Sequence, residues 1–347
     1  MTKRRVLVAM SGGVDSSLSA ALLLQQGHDV EGVTMKLSAG VCCDIASAQA
    51  VCLHLGIPHR IIDMQQEFER GVVKNFISEY RAGRTPNPCI RCNDIIKFQA
   101  LLSHARENGF DLLATGHYAR VEQDPATARF LLKKGIDAGK DQSYFLYRLT
   151  QDQLAHVLFP LGEMRKKEVR EQARLLKLPA AERPESQEIC FVPDNDYRAF
   201  LEEHAPDVLR PGDIVMTDGT VVGRHKGIAF FTVGQRRKLG VAAGERLYVA
   251  KIEPGTSRVV LGKAADLQNQ ELSVSEPNFI AGETFSSPLA VEVKIRYRSR
   301  FEPAVIEPAG SGRVHVRFKR PIAGISPGQA AVFYDADTVI GGGVIEG

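Results

Sequence analysis

The sequence predicts an α/β domain built on a doubly wound parallel sheet, followed by two small all-β units, the last of them barrel-like. Apolar and helical segments alternate through the first half of the chain, as is typical of such a sheet. A glycine-rich turn joins the first apolar segment to the first helical one. After about residue 205, the sequence predicts short strands separated by turn residues. A second boundary between units is expected near residues 273–282. We therefore expect domains at residues 1–205, 206–270 and 271–347.

Each element of the first domain is predicted from its own local pattern. Apolar, β-branched runs indicate strands, and apolar residues at helical spacing indicate helices. Strands are expected at residues 6–10, 30–35, 60–63 and 112–115, and helices at residues 18–26, 45–55, 68–83 and 94–108. Val169, Ala173 and Leu176 have the spacing of one further helix within residues 150–178.

Alternation of apolar and polar residues predicts half-buried strands in the last unit. One face of the first such strand carries Val291, Val293, Ile295 and Tyr297, and the other carries Glu292, Lys294, Arg296 and Arg298. Residues 291–320 hold eight Lys or Arg against three Asp or Glu, whereas the whole chain has a formal net charge of only +3. We expect this basic face to point to solvent and to bind a polyanion. A solvated surface of mixed charge is the alternative.

The composition indicates a globular protein of the cytoplasm that does not bind a membrane. Hydrophobic residues make up 44% and charged residues 24% of the chain. No apolar run approaches the roughly 18 residues that span a bilayer, and the apolar run near the N-terminus is too short for a signal peptide. Six cysteines are too few for a disulfide scaffold in 347 residues.

Residues 11–17, with the sequence SGGVDSS, form the most informative segment. A strand, a glycine turn and a helix start place several backbone N–H groups around one point, which favours a phosphate or pyrophosphate. The segment lacks the lysine of a Walker A motif and the spacing of GxGxxG. It resembles the SGGxDS pyrophosphate loop of enzymes that split ATP between its α and β phosphates. An ordinary glycine turn with a serine cap is the alternative.

Three cysteines are candidates for chemistry. Cys89 and Cys92 form a CxxC pair, and Cys190 lies in an irregular segment rich in proline. We expect prolines to keep the CxxC pair out of a helix until after Asn93, so that Cys92 just precedes a helix and follows the basic Arg91. Both features lower a thiol pKa. The spacing alone allows a redox pair, half of a zinc site, ligands to an iron–sulfur cluster completed by Cys190, or a nucleophilic thiol.

Seven motifs in order closely resemble the bacterial tRNA-specific 2-thiouridylase family, over nearly the whole chain. They lie at residues 11–17 (SGGVDSS), 83–93 (GRTPNP, with CN at its end), 114–118 (ATGHY), 140–146 (KDQSYFL), 189–191 (ICF), 234–236 (GQR) and 326–330 (SPGQA). The resemblance implies a pyrophosphate-loop domain of the adenine nucleotide α-hydrolase-like type. It also implies a tRNA sulfurtransferase as the activity.

The reaction implied by the resemblance thiolates the wobble uridine, position 34, of certain tRNAs. ATP adenylates the C2 oxygen, and a sulfur then replaces it, giving 2-thiouridine, AMP and pyrophosphate. In the family, the cysteine matching Cys190 carries a persulfide, and the one matching Cys92 closes a disulfide with it. A cysteine desulfurase, or a relay that it feeds, is the implied sulfur donor, and the anticodon region of tRNA is the implied partner.

The resemblance also assigns binding residues. ATP with Mg²⁺ would be held by Ala9, Met10, Ser11, Gly12, Gly13, Val14, Asp15, Ser16, Met35 and Gly116. The target base would be bordered by Asn87, Pro88 and Cys89, and tRNA would be contacted by His117, Lys140, Asp141, Gln142, Arg296, Tyr297 and Gln329.

One departure from the family pattern opens a second route. Many members have Asp where this chain has Cys89. Together with Cys92 and Cys190 it makes a four-iron four-sulfur cluster an alternative sulfur carrier. Two remoter alternatives are an ATP-dependent amidotransfer-type synthetase and a non-catalytic RNA-binding protein. The first leaves the basic β unit unexplained, and the second leaves the intact loop and the cysteines unexplained.

Overall fold

The computed structural model describes residues 2–38, 44–184, 189–241, 244–280 and 285–346. Its first part contains β1 (Arg5–Ala9), α1 (Val14–Gln25), β2 (Asp29–Lys36), α2 (Ile45–Leu55), β3 (His59–Asp63), α3 (Gln65–Phe68), α4 (Lys74–Arg81), α5 (Pro88–Arg91), α6 (Leu102–Glu107), β4 (Leu112–Ala114), β5 (Ala119–Gln123), β6 (Phe130–Lys134), α7 (Gln151–Ala155), β7 (Val157–Leu158), α8 (Lys166–Leu175) and α9 (Tyr197–His204). Two π-helical segments, Glu69–Val73 and Cys92–Leu101, join α3 to α4 and α5 to α6 into continuous helices.

The strands of the remaining part follow in chain order. They are β8 (Gly212–Met216), β9 (Val221–His225), β10 (Tyr248–Glu253), β11 (Arg258–Gly262), β12 (Gln268–Phe279), β13 (Leu289–Lys294), β14 (Glu302–Pro308), β15 (Val314–Ala323), β16 (Ala330–Asp335) and β17 (Thr338–Ile345). Short 3₁₀ turns connect several of them.

The first domain is built on a parallel sheet of five strands in the order β3-β2-β1-β4-β7. Both faces of its central strand are buried: Leu7 packs into one apolar core, and Val6 and Val8 pack into another on the opposite face. Such two-sided burial explains why the strand reads as a continuous apolar run. The predicted doubly wound sheet is therefore confirmed.

The start of the helix that carries the CxxC pair differs from the prediction. The helix begins at Pro88 rather than after Asn93, because proline is well tolerated at the first helical position. Asn87 caps it, with its side-chain oxygen accepting the Ile90 N–H at 3.3 Å. The expectation of a loop was wrong, and Cys89 and Cys92 lie one turn apart on a helix.

Two β units follow the first domain, as predicted. The smaller is a four-stranded sheet in the order β10-β11-β8-β9, whose core includes Val249, Val259 and Leu261. In the larger, six strands follow one another as β12-β15-β14-β13-β16-β17, and pairing of β12 with β17 closes them into a barrel. The β5–β6 hairpin of the first domain extends this sheet beside β17 through Lys133 and Thr338.

The predicted basic solvent face is confirmed on β15 and wrong at the end of β13. Arg313 and Arg317 flank the buried side chains of β15 and are exposed. Lys294 is only 8% exposed, and its ammonium lies 4.9 Å from the Phe301 ring centroid. Arg296 is half-buried and donates to the Val233 carbonyl at 2.8 Å. Neighbouring units cover this end of the barrel. The alternation of apolar and polar residues along a single strand could not predict that contact.

In the described part of the chain, every helix is too short or too polar to cross a membrane.

Candidate active site

The glycine loop lies at the carboxyl end of β1 and is held by its own backbone and serines. The Met10 N–H donates to the Val33 carbonyl at 2.7 Å, which continues the β1–β2 pairing into the loop. The Ser16 hydroxyl donates to the Gly13 carbonyl at 3.1 Å and accepts the Ser11 N–H at 3.2 Å. These bonds fold the loop around the first turn of α1. Its shape is therefore fixed before any anion arrives.

Gly12 is required by the shape of the loop. Its φ is +80°, and an added Cβ would lie 2.8 Å from the Asp44 carbonyl oxygen. Arg183 donates to the Gly12 carbonyl at 3.1 Å and pairs with the Asp44 carboxylate. That pair, with the Ser47 N–H, lowers the pKa of Asp44 to about 2. A side chain at Gly12 would therefore push against a well-ordered neighbour.

The predicted ATP residues come together at one edge of the sheet. Ala9 ends β1, Met35 lies near the end of β2, and Gly116 follows β4. A Cβ at Gly116 would lie 2.9 Å from the Ser16 nitrogen, so the backbone after β4 packs directly against the glycine loop. Ligands bind beyond the carboxyl ends of strands in sheets of this type.

Asp15 is the acidic group of the loop, and two side chains hold it. The Lys166 ammonium lies 2.7 and 2.8 Å from its two carboxylate oxygens, and the Tyr118 hydroxyl donates to one of them at 2.6 Å. Lys166 comes from the first position of α8, and Tyr118 from the segment after β4. The sequence did not single out Lys166, because no local pattern links positions 15 and 166.

The three candidate cysteines are thiols with no disulfide among them. Cys89 and Cys190 are exposed, and Cys92 is half-buried. Although Cys89 is open to solvent, the protein around it desolvates its thiolate and raises its pKa, and the nearby Cys190 raises it further. Phe191, next to Cys190, packs against Phe68 and Phe76 with ring centroids 5.5 and 5.3 Å apart. These contacts anchor Cys190 beside α3 and α4.

The segment before α5 is held by both β units. The Gln329 amide donates to the Thr85 and Pro86 carbonyls at 2.9 and 3.2 Å, and the Thr85 N–H donates to the Pro327 carbonyl at 2.8 Å. The Thr85 hydroxyl also bonds the Thr232 hydroxyl of the central unit at 3.0 Å. Gln329, predicted to contact tRNA, therefore positions the segment that ends at Asn87.

His117 follows Gly116, which packs against the glycine loop. Its ring is buried, contacts the Phe98 and Phe159 rings at 5.9 Å, and bonds the Thr115 hydroxyl at 2.7 Å. Burial, and then the positive charge of Lys97, hold the pKa of His117 well below its ordinary value. A His117 imidazole in this position is neutral near pH 7, and a direct contact with tRNA stays a prediction.

Lys97 links the two halves of the site, and the sequence analysis missed it. Burial is the larger cause of the pKa shift at both Cys89 and His117, and the positive charge of Lys97 is a second cause that lowers the pKa of each. Lys97 lies in the π-helical segment five residues after Cys92. It is eight residues after Cys89, and no motif of the sequence singles out a lysine at that position.

Most of the other residues predicted to contact tRNA make contacts within the protein. The Asp141 carboxylate is buried and accepts the Gly135 and Ser143 N–H groups at 3.0 and 3.1 Å. The Gln142 side chain accepts the Tyr118 N–H at 3.0 Å. The Tyr297 ring, half-buried, lies 4.4 Å from that of Phe145. Lys140 is half-buried in the turn before Asp141. Their contacts with tRNA stay predictions.

The donor atoms do not match a metal centre. Across the described ranges, which include Cys89, Cys92 and Cys190, no three His, Cys, Asp or Glu side chains converge as a metal-ligand set. Cys89, Cys92 and Cys190 do not form a converging ligand set in this arrangement, and an iron–sulfur cluster on them stays a prediction.

Three family models match the chain in succession. They are described as a tRNA methyl transferase HUP domain (residues 4–194), a tRNA methyl transferase PRC-barrel domain (198–263) and an aminomethyltransferase beta-barrel domain (269–345). A HUP sheet with a glycine loop, followed by two β units, defines a nucleotide-using enzyme of tRNA modification.

Curated relatives match along the whole chain. The tRNA-specific 2-thiouridylase MnmA of Desulforamulus reducens is 48% identical, covering 99% of this chain and 97% of its own. MnmA of Acetivibrio thermocellus is 45% identical over 100% of both chains, and that of Heliobacterium modesticaldum is 49% identical over 99% of this chain and 92% of its own. The chain belongs to the tRNA-specific 2-thiouridylase family, which confirms the resemblance seen in its motifs.

Replacing Gly12 by alanine is expected to weaken ATP binding roughly tenfold or more, because the added Cβ displaces the loop from the Asp44 carbonyl. Gly27→Ala is the matched control: its φ is +85°, and its Cβ would meet nothing within 4 Å. Both variants should lose about 1–2 kcal/mol of stability from left-handed backbone strain. Calorimetric ATP titration and urea unfolding measure the two effects. Equal ATP affinity in both variants would contradict this assignment of the loop.

Replacing Lys97 by methionine is expected to raise the pKa of the Cys89 thiol, because the variant removes a positive charge that lowers it. Cys89 should then be alkylated more slowly by iodoacetamide at pH 8, with the midpoint of the rate profile shifted to higher pH. Mass spectrometry of the modified peptide follows the rate. Lys74→Met, at an exposed position of α4, is the control. An unchanged profile would place Lys97 away from the thiol.

Proposed function

We propose that the chain converts the uridine at wobble position 34 of tRNA into 2-thiouridine, with ATP as the activating substrate. The observation that supports this most strongly is the position of residues 115–118. Gly116 packs against the glycine loop, and His117 lies near Lys97, whose charge also acts on Cys89. A nucleotide site and a thiol site therefore adjoin through one segment.

The first step is adenylation of the uridine C2 oxygen. A carbonyl oxygen is a poor leaving group, and an adenylate makes it a good one. The uridine oxygen attacks the α-phosphorus of ATP, and pyrophosphate departs from the glycine loop. Backbone N–H groups of the loop and the N-terminus of α1 favour the negative charge of the pyrophosphate. Mg²⁺ bound to ATP would neutralise further phosphate charge. Asn87, Pro88 and Cys89 border the base, which leaves the anticodon stack to reach them.

The second step replaces the activated oxygen with sulfur. The terminal sulfur of a persulfide on Cys190 attacks C2, and AMP leaves with the former uridine oxygen. The Cys92 thiolate attacks the inner sulfur of Cys190, which breaks the persulfide bond and forms a Cys92–Cys190 disulfide. The two thiols supply the two electrons that reduce the transferred sulfur. An external dithiol then reduces the Cys92–Cys190 disulfide. A cysteine desulfurase or relay protein transfers a new sulfur to Cys190 and restores its persulfide.

A cluster on Cys89, Cys92 and Cys190 is the alternative sulfur carrier. Anaerobic purification followed by iron and acid-labile sulfide analysis separates the two routes. Full activity with neither element excludes the cluster. Stoichiometric iron and sulfide in the active protein would replace the persulfide route.

The electrostatic part of tRNA binding is assigned to the β units. Arg317 on β15 and Arg313, which directly precedes this strand, are exposed, but each pairs with a glutamate, at 3.0 Å to Glu307 and Glu346. Surface pairs of this kind contribute about 0–1 kcal/mol, so a phosphate can displace the glutamate at little cost. Arg296 and Tyr297 are proposed as contacts where the barrel meets the central unit.

One assay tests the function as a whole. Purified protein is incubated with ATP, unmodified tRNA and a cysteine desulfurase with ³⁵S-cysteine. The expected products are ³⁵S-labelled tRNA, AMP and pyrophosphate in equal amounts. Nitrogen transfer to a small carbonyl compound would support the synthetase instead, and tRNA binding without ATP turnover would support the RNA-binding protein.

Replacing Cys190 by serine is expected to reduce thiolation to background, because serine cannot carry a persulfide. The tRNA affinity should stay within about twofold, since the variant removes no charge. Pyrophosphate release in the presence of tRNA serves as the internal control, because adenylation precedes the sulfur step. Robust thiolation by the Cys190→Ser variant would remove Cys190 from the mechanism.

A further inference from the structure

Lys166 occupies a position that lysine ordinarily avoids. It is the first residue of α8, where the helix dipole disfavours a cation, and its side chain is only 11% exposed. The next residue, Lys167, shows the ordinary behaviour, with a side chain that is 88% exposed. Buried lysines are rare unless an acid partners them. The partner of Lys166 is Asp15, which lies in the glycine loop itself.

We propose that Lys166 is a positioning residue of the nucleotide site, and that it neutralises Asp15 so that the glycine loop can accept a polyphosphate. This inference rests on the ATP site of the proposed function. Asp15 lies two residues after Gly13, on the turn whose N–H groups face the anion. A carboxylate about 6 Å from a phosphate charge would weaken binding by about a hundredfold at an effective dielectric constant of 20. The ammonium at 2.7 and 2.8 Å cancels that repulsion.

The neighbours of Lys166 fix the ammonium in place before nucleotide binds. The Lys166 N–H donates to the Asp137 carboxylate at 2.9 Å, which anchors the start of α8. The Tyr118 hydroxyl donates to the same Asp15 oxygen that Lys166 contacts, so the carboxylate is oriented from two sides. Tyr118 is in turn bonded through its backbone to Gln142. The pair is therefore part of a rigid frame, and its neutral charge is a fixed property of the loop.

ATP titration in EDTA, without tRNA, tests the proposal separately from sulfur transfer. Lys166→Met should bind ATP roughly tenfold or more weakly, because it leaves the Asp15 charge uncompensated. Lys167→Met, one residue along the same helix, should bind like the parent protein. Lys166→Arg keeps the charge and should recover most of the affinity. Failure of tRNA thiolation would not affect these measurements, so the two proposals fail separately.

The double variant Asp15→Asn with Lys166→Met is the decisive comparison. It removes both charges and should bind ATP several-fold more tightly than Lys166→Met alone. It also leaves no unpaired buried charge. If Lys166→Met does not fold, Lys166→Gln, which also removes the positive charge, replaces it in the comparison. Equal affinity of Lys166→Met and the parent protein overturns the proposal. A double variant no better than Lys166→Met also overturns it, because charge compensation would not be the role of the lysine.

Discussion

Two hydrogen bonds from the Gln329 amide to the Thr85 and Pro86 carbonyls fix the position of the thiol-bearing helix. The residue after Pro86 is Asn87, which caps the helix, and the first thiol follows two positions later. Each bond contributes about 1 kcal/mol, and a Cβ at Gly328 would lie 3.0 Å from the Thr85 backbone, so the contact is close as well as polar. The barrel therefore helps to shape the segment that leads into the thiol-bearing helix.

The two halves of the site use their lysines in opposite ways. In the nucleotide half, Lys166 is matched by Asp15, which leaves the loop neutral toward an anion. In the thiol half, Lys97 is half-buried, and no Asp or Glu of the described ranges lies within 4.0 Å of its nitrogen. An uncompensated cation stabilises a sulfur anion, whereas a compensated one would not. Each arrangement suits the charge that its half must hold.

Local patterns were sufficient to predict the sheet and the glycine loop. Burial on both faces requires a continuous apolar run in a strand, and a positive φ favours glycine, so both features are visible in the sequence. Local patterns did not predict that a helix begins at Pro88, because proline is common both in loops and at the first position of a helix. Lys97 belongs to no motif of the sequence, so its place near the candidate site could not be predicted. Lys294 was predicted to face solvent, because the alternation of apolar and polar residues does not show which end of a strand a neighbouring unit covers. The ion pair between Asp15 and Lys166 joins residues that are far apart in the sequence, so it is visible only in the folded structure.

In the proposed reaction, the oxygen that leaves the base departs as part of AMP. A tRNA carrying ¹⁸O at C2 of the wobble uridine tests it directly, with ATP and a sulfur donor present and the AMP analysed by mass spectrometry. The account predicts AMP heavier by two mass units, in an amount equal to the 2-thiouridine formed. Thiolated tRNA accompanied by AMP without the heavy oxygen would contradict it.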